Sequence, residues 1–388
     1  ITDDGGMVFG GYAGESIDGM GFGGERDAWV RKLTRRGDVE WTYVSRDTEA
    51  EAARSKLAHP SGDGFFVVIP NSADVSILPT GADIARIDAN GVELWREAID
   101  FGVAPNLYYA GYWSVVGADG DVYITSRTRV VDPQGTLITR VDGSDGSTIW
   151  NRAFNPSEID AAMPFIADTF LVTVRGLTID SNGDLVVAGY FASLAGRSCT
   201  TCGFIAKLDT SGDVQWLREI SSVDFAACGT RERLRFSRVT EASDGSLLIT
   251  GTTTLQPADV EVGVFLNFSS DGSTVNGAYC DAEATDAERS DYFTNILETG
   301  EGDYLMYGSL YRGVVSSSPT LRAADLILLK FDEDGNRIYR RVLSEQRSDG
   351  LTADQRAGSI AVDSQRSVFI TGAIAGELVQ GAEPVSYT

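Results

Sequence analysis

Short stretches in which apolar and polar residues alternate recur along the whole chain, and the clearest example runs from Gly203 to Ser222. There, one alternating stretch leads into an Asp-Thr-Ser-Gly-Asp turn, and a second alternating stretch that contains Trp216 follows it. A period of two on both sides of a Gly-containing turn predicts a β-hairpin. We call this element the Trp hairpin; further copies occupy residues 27–45, 82–100, 137–154, 262–280 and 326–343.

A second type of hairpin, also with a Gly or Asp turn, lies between the copies of the Trp hairpin. It occupies residues 57–69, 113–125, 177–189, 239–251, 296–308 and 360–372, with a shortened copy at 1–11. The two hairpins together give four strands about every 55 to 65 residues. Repeats of four antiparallel strands at such a period predict an all-β fold, the β-propeller, whose blades stack on their neighbours.

The number of repeats predicts one β-propeller domain of seven blades with an incomplete last blade; six blades is the alternative. The approximate blades are residues 1–49, 50–107, 108–165, 166–230, 231–287, 288–350 and 351–388. In such blades, the loops between strands two and three emerge on the same side as the loops between blades. These loops are long here, as at 190–202 and 224–234, and binding sites are expected among them.

An aromatic residue follows the turn of most Trp hairpins at a fixed distance. These residues are Trp41, Trp95, Trp150, Trp216 and Tyr339. A large aromatic side chain at a repeated position predicts a packing wedge between blades, and a platform for a planar cofactor is the alternative. The copy at 262–280 departs from the pattern, because Asn276 to Tyr279 stand where the Trp is expected.

Two motifs carry a resemblance to a known family. The Trp hairpin has the pattern K-L-D-x-x-G-x-x-x-W at Lys207 to Trp216, and the second hairpin has D-x-x-G-x-hydrophobic at Asp180 to Leu185. In these motifs the chain resembles the secreted bacterial β-propeller repeat family, which is distantly similar to quinoprotein-like propellers. The resemblance covers nearly the whole chain. It implies the propeller fold and an extracellular or cell-surface location, and it implies no particular activity.

A quinone-dependent dehydrogenase is one enzymatic alternative, because Asp142 to Trp150 resembles the docking motif of quinoproteins. As a family, those enzymes carry a vicinal Cys pair and a Ca²⁺ site with a catalytic Asp. The present sequence contains no Cys-Cys dipeptide. The resemblance therefore gives this alternative little support.

The net charge of the chain argues against some classes of partner. The 388 residues carry a net charge of −24, and only four of the 32 basic residues are Lys. Such a field repels phosphate backbones and anionic membranes, so neither nucleic acid nor membrane insertion is expected. It also favours solubility in salty water and attracts Ca²⁺. The chain begins at Ile1 without a signal peptide, which suggests a processed or excised segment.

No catalytic motif stands out in the repeats. His59 is the only histidine, so a Ser-His-Asp relay depends on that one residue. The 56 acidic residues leave carboxylate pairs for glycoside chemistry open without pointing to any of them. The sequence therefore predicts no catalytic residue, no firm cofactor and a chain that is not an enzyme.

Acidic turns are the candidates for metal binding. The weak Ca²⁺ candidates are Asp142, Asp145, Asp332 and Asp334. Carboxylates near a Gly partly resemble Ca²⁺ loops, but none of these turns has the full ligand set with a distal Glu. Ordinary β-turns, in which Asp bonds its own backbone, are the alternative.

The four cysteines are Cys199, Cys202, Cys228 and Cys280, and all of them map to the side of the long loops. Two disulfides are predicted, with Cys199–Cys202 plus Cys228–Cys280 favoured over pairings between the CTTC segment and Cys228. A four-thiolate zinc site and a redox CxxC are the alternatives. Asn267 begins a lone glycosylation sequon.

The leading hypothesis for function is a non-catalytic extracellular module, structural or protein-binding, within a surface or filament assembly. A glycan-binding lectin is an alternative, with Tyr108, Tyr109, Tyr112 and Trp113 as the candidate contact residues. A quinoprotein-like or carbohydrate-active enzyme is the other. The expected partners are proteins of that assembly or surface glycans.

Overall fold

The computed structural model contains only strands, turns and connecting segments in the residues that it describes. These are 2, 4–13, 27–45, 56–58, 64–71, 81–101, 107–128, 135–154, 169–193, 201–220, 231–255, 260–280, 288–299, 302–312, 324–332, 335–343, 354–363 and 365–375. They hold no helix long and apolar enough to cross a membrane.

The strands divide between two compact units of the chain. One unit comprises Ile1–Leu185 and Leu208–Gln215, and the other comprises Val186–Lys207 and Trp216–Thr388. We call them the first and the second unit.

The first unit contains the strands β1 (Met7–Ala13), β2 (Asp27–Leu33), β3 (Val39–Val44), β4 (Lys56–Ala58), β5 (Gly64–Asn71), β6 (Gly81–Asp88), β7 (Glu93–Ala98), β8 (Leu107–Val116), β9 (Val122–Thr128), β10 (Thr136–Val141), β11 (Thr148–Phe154) and β12 (Thr169–Ile179). Its sheets have the orders β1-β2-β3, β4-β5-β6-β7 and β11-β10-β9-β8. The last two are four-stranded antiparallel sheets, as the repeat predicts.

The remaining strands lie in the second unit, except that Leu185, Leu208 and residues 214–215 at the ends of β13, β14 and β15 belong to the first. They are β13 (Leu185–Ser193), β14 (Thr201–Leu208), β15 (Val214–Ile220), β16 (Arg231–Glu241), β17 (Leu247–Leu255), β18 (Val260–Phe268), β19 (Val275–Cys280), β20 (Glu288–Glu298), β21 (Tyr304–Arg312), β22 (Ala324–Phe331), β23 (Arg337–Leu343), β24 (Asp354–Val362) and β25 (Val368–Ala375). The order β20-β21-β22-β23 forms one sheet and β24-β25 another. A larger sheet joins β14 to β16 by a parallel contact at Thr201 and Arg233.

Tight turns close the hairpins, and Asp88 to Val92 shows how. The backbone of Asp88 bonds that of Val92, and Gly91 takes a φ of 82°, which a side chain would disfavour. The Asp88 carboxylate also accepts the N–H groups of Asn90 and Val92. The N–H of Val92 is the main cause that lowers the pKa of Asp88. The acidic turns are therefore built by local backbone bonding.

The repeated Trp packs against the turn of the next Trp hairpin. In the first unit, Trp41 donates its indole N–H to the Ala89 carbonyl at 2.8 Å, and a Cβ on Gly91 would lie 2.7 Å from its ring. In the second unit, Trp216 lies equally close to Gly272. The structure thus shows the packing role predicted for these residues.

The Trp hairpin at 262–280 has no Trp and lacks this contact with the turn of the next hairpin. We call the unfilled position the open packing step. Lys32 faces Trp41 across β2 and β3, and the corresponding Asn267 faces Gly277 across β18 and β19. A Cβ on Gly277 or on the turn Gly335 would have no heavy atom within 4 Å. Tyr279 packs on Phe331 instead, with 4.5 Å between ring centroids. The Trp hairpin at 262–280 therefore departs from the repeat by lacking the aromatic side chain, while its strands still pair.

The core lies between successive sheets. In the first unit, Val30 and Tyr43 pack with Phe65 and Ile69 of the following sheet. In the second unit, Phe293 of β20 lies so close to Gly263 of β18 that a Cβ there would be 1.5 Å from its ring. The prediction of an all-β chain built from four-stranded antiparallel sheets is confirmed, and the number of blades stays a prediction.

Candidate functional site

The ends of each sheet differ in construction. We call the end with the tight turns the turn end, and the end where β13 and β17 finish and β14, β16 and β18 begin the loop end. Basic side chains occur at both ends. Those that are held by nearby carboxylates have a structural role, and those that are loosely paired can bind a ligand.

Two lysines at the turn end are neutralised by carboxylates. The Lys32 Nζ lies 2.6 Å from Asp4 Oδ2 and 3.0 Å from Glu40 Oε1, and Lys330 Nζ lies 2.6 Å from Asp303 Oδ2. Burial lowers the pKa of Lys32, but the hydrogen bonds to Asp4 and Glu40 more than offset it and raise the pKa above its usual value. These cations join turns to strands, so we assign them a structural role.

At the loop end of the second unit, three strands bring together a cation, a phenol ring and a carboxylate. Arg235 of β16 places its guanidinium carbon 5.8 Å from the ring centroid of Tyr190 in β13. Its Nη1 lies 3.7 Å from Oε1 of Glu261 in β18. Arg233, two residues earlier on β16, is exposed. We call Tyr190, Arg233, Arg235 and Glu261 the loop-end cluster.

The local sequence explains why these side chains lie on the surface. Along β16, Leu234 and Phe236 are buried, so the alternation of a strand turns Arg233 and Arg235 outward. Gly203 on β14 leaves room for both apolar side chains, since a Cβ there would lie 2.6 Å from Phe236 and 2.9 Å from Leu234. A Gly at that position therefore helps to fix the face of β16 that reaches the solvent.

The charged side chains of the cluster are accessible to solvent and only loosely paired. The Arg235 side chain is 39% exposed and that of Glu261 is 31% exposed, and the 3.7 Å between them exceeds a direct hydrogen bond. Tyr190 is buried. Within the described residues, Arg233 makes no side-chain ion pair. Burial lowers the pKa of Arg238, the fourth Arg of this strand. The planar guanidinium of Arg235 thus lies over the Tyr190 ring and beside the carboxylate of Glu261.

The candidate calcium ligands cap turns wherever the structure describes them. Asp142 Oδ1 accepts from the backbone N–H of Ser144 at 2.7 Å, and the bonds from Ser144 lower the pKa of Asp142. Asp145 accepts from the N–H of Ser147, and Asp332 from that of Asn336. Asp334 lies outside the described residues. No group of three or more metal-ligating side chains occurs in the described part of the chain. Ca²⁺ binding stays a prediction.

The aromatic candidates lie on a strand. Tyr108, Tyr109, Tyr112 and Trp113 all belong to β8, and the structure describes the side chain of Trp113 alone. Trp113 is half-buried, and its backbone N–H donates to Thr125 Oγ1 at 3.2 Å. Their role in glycan binding stays a prediction.

Of the cysteines, only Cys202 and Cys280 are described, and neither is a free thiol. Cys199, Cys228 and His59 lie outside the described residues, so the pairing stays a prediction. Asn267 is buried in β18, and its Oδ1 accepts from Asn276 Nδ2 at 3.4 Å. Glycosylation of Asn267 in the folded chain would require this side chain to leave the sheet.

The sequence did not single out Tyr190, Arg235 or Glu261. One signal for them was available, because the segment Arg231 to Arg238 carries four Arg in eight residues of an acidic chain. Their meeting depends on strand pairing across about 70 residues, which alternation alone does not reveal.

Comparison with known proteins shows similarity of structure without similarity of sequence. No protein-family model and no curated protein matches the chain. The polysaccharide lyase Uly1 is similar at a TM-score of 0.52 and 10% identity, over 91% of this chain and 82% of that one. A PL25 ulvan lyase bound to -[GlcA(1-4)Rha3S]- is similar at 0.50 and 9% identity, over 92% and 84%. The Dos1 propeller has a TM-score of 0.47 and 12% identity, over 90% and 73%.

These similarities bear on two predictions. Together with the four-stranded antiparallel sheets, the similarity to the two lyases confirms the all-β propeller fold. The prediction that the chain is not an enzyme is wrong as an inference from the repeats, because two solved structures that share the fold are polysaccharide lyases. The absence of a catalytic motif in the repeat therefore gives no support to a non-catalytic module.

Proposed function

We propose that this chain is a carbohydrate-active enzyme that binds a polysaccharide at the loop-end cluster of its second unit and cleaves it. The observation that carries the proposal is the Arg235 guanidinium, which lies over the Tyr190 ring and beside Glu261 at an accessible end of the sheets. The fold shared with two polysaccharide lyases supports it.

The roles of the residues follow from their chemistry. Arg235 has a planar set of donors suited to the oxygen atoms of a sugar, and Tyr190 holds that plane in one orientation. Among the described residues, Glu261 is the carboxylate that pairs with this cation, so we assign it the proton transfer that cleavage of a glycosidic bond requires. Arg233 extends the contact along the strand.

Three further expectations come from the sequence. An extracellular or cell-surface location, membership of the secreted propeller repeat family and Ca²⁺ binding at acidic turns agree with a polysaccharide substrate outside the cell. Each of them is separate from the site, and the experiment below does not depend on them.

The test is cleavage of a panel of purified polysaccharides. Size-exclusion chromatography reports shortening, released reducing ends report hydrolysis, and near-ultraviolet absorbance of unsaturated products reports elimination. We expect one polymer to be shortened, with a loss of about 100-fold or more in turnover for Glu261→Gln. Glu97→Gln, at an exposed position in the first unit, is the matched control and should retain full turnover. A panel with no polymer shortened or bound would contradict the proposal.

A further inference from the structure

Resting on the proposed function, we infer that the polysaccharide is anionic and that Arg235 and Arg233 bind its carboxylate or sulfate groups. Both acid groups present two or more oxygen atoms in a plane or fork, which matches the paired N–H donors of a guanidinium. The inference concerns the substrate class, which the proposed function leaves open.

Arg235 is incompletely neutralised within the described residues. Its one described counter-charge, Glu261 Oε1, lies 3.7 Å away, and its Nε is buried without a hydrogen-bond partner among the described residues. At the turn end, Arg140 has three partners between 2.6 and 2.8 Å. The Nη groups of Arg235 therefore keep donor capacity for an incoming acid.

The cations also follow one another along β16. Arg233 is exposed and Arg235 is half-buried, and the Cα atoms of residues two apart in a regular strand are separated by roughly 6.4 to 6.8 Å. Two accessible Arg side chains on neighbouring positions of one strand can bind acid groups on neighbouring parts of one extended ligand. A neutral glycan would leave both charges without a new partner.

The charge of the whole chain also bears on the binding of an anionic ligand. A net charge of −24 repels anionic polymers, so an anionic ligand needs a local region of positive charge to bind. The two Arg supply it, and Glu261 opposes it by occupying one side of Arg235. We therefore expect Glu261 to weaken the binding of acids while it serves in cleavage.

The experiment measures the affinity of the full chain for three polymers. Polygalacturonate carries carboxylates only, κ-carrageenan carries sulfates only, and a neutral galactan carries neither. We expect at least one of the two anionic polymers to bind about 10-fold or more tightly than galactan, and which polymer binds identifies the acid group. This preference should weaken as the ionic strength rises, because salt screens exposed charges.

Three variants assign the effect to the cluster. Arg235→Gln should lose about 10-fold or more in affinity for the anionic polymer, and Glu261→Gln should gain about 3-fold or more while it loses turnover. Arg36→Gln removes an exposed Arg at the turn end and should change neither. A thermal melt of each variant verifies that it is folded.

The contradicting outcomes are distinct. Equal affinity for galactan and the anionic polymers, unchanged in Arg235→Gln, would overturn the anionic substrate while the proposed function stands if a polymer is cleaved. Failure to bind or cleave any polymer would overturn the proposed function and this inference with it. Loss of affinity in Arg36→Gln as large as in Arg235→Gln would show a diffuse charge effect and overturn the site.

Discussion

Two Arg–Tyr stacks in this protein have nearly the same geometry and very different surroundings. In the first unit, the Arg140 guanidinium carbon lies 5.5 Å from the Tyr123 ring centroid, and in the second unit Arg235 lies 5.8 Å from Tyr190. Arg140 is held by Asp119, Asp121 and the Thr210 carbonyl, and its side chain is 17% exposed. Among the described residues, Arg235 has one carboxylate partner, Glu261 at 3.7 Å, and its side chain is 39% exposed. The same pair of residue types thus serves as a structural joint at one place and as a candidate binding site at the other.

The largest effect should come from removing the fully paired cation. Arg140→Met leaves Asp119 and Asp121 without their partner, and we expect it to lower the free energy of unfolding by about 2 kcal/mol, measured by urea denaturation. Arg235→Met is the matched variant, and its cost should stay within about 0.5 kcal/mol, as for most surface changes. Equal costs for the two variants would show that the loop-end stack is also structural and would remove the distinction.

A smaller gain in stability is expected at the open packing step. Gly277 occupies the position at which the other Trp hairpins carry an aromatic side chain, and neither it nor Gly335 has a neighbour within 4 Å of a Cβ. Gly277→Trp should therefore raise the free energy of unfolding by about 1 kcal/mol, as other cavity-filling changes do. Gly277→Ala is the control that separates the indole from the loss of a strand Gly. A Trp variant no more stable than the Ala variant would contradict this account of the wedge.

The stack in the first unit can also be tested at alkaline pH. Burial raises the pKa of Tyr123 from 10.0 to about 12, although the charge of Arg140 acts in the opposite direction. A raised pKa means that the folded state holds the proton more tightly, so this contribution is complete below pH 10 and is lost as the pH rises toward about 12. We expect the urea midpoint to fall over that range, and to fall less in Tyr123→Phe. An identical pH dependence in the variant would contradict the assignment.

The state of the cysteines can be tested without any variant. Cys202 and Cys280 are not free thiols, and the sequence predicts that Cys199 and Cys228 are not free either. Alkylation of the unreduced, denatured protein followed by mass spectrometry should therefore detect no modified Cys. Four alkylated thiols would contradict both the predicted disulfides and the extracellular location that they support.

Much of the fold was accessible from the sequence, because strand alternation, turn Gly and the repeated Trp are local features. Trp41 and Gly91, for example, each belong to a hairpin that the pattern predicts, and their contact repeats from one hairpin to the next. The open step at Gly277 was also visible as a departure from the repeat. These features are predictable because the same residue types recur at the same positions of successive hairpins.

The candidate site was less accessible, because it departs from the repeat. Tyr190, Arg235 and Glu261 belong to three strands, and their contact depends on the register of β16 with β17 and of β17 with β18. The sequence directed attention to the neighbouring CTTC segment and to the aromatic residues of β8 instead. A contact that occurs only once produces no repeating pattern in the sequence. Predicting it requires knowledge of which strands pair and in which register.

Hydrogen exchange in the presence of polysaccharide tests the central claim most directly. Amide exchange is measured by mass spectrometry with and without the polymer that binds in the panel, and peptides from β16 (Arg231–Glu241) are compared with peptides from β10 (Thr136–Val141). The account predicts slower exchange at the Arg231 end of β16 and no change in β10, which carries Arg140. Protection of β10 with no change in β16 would contradict it.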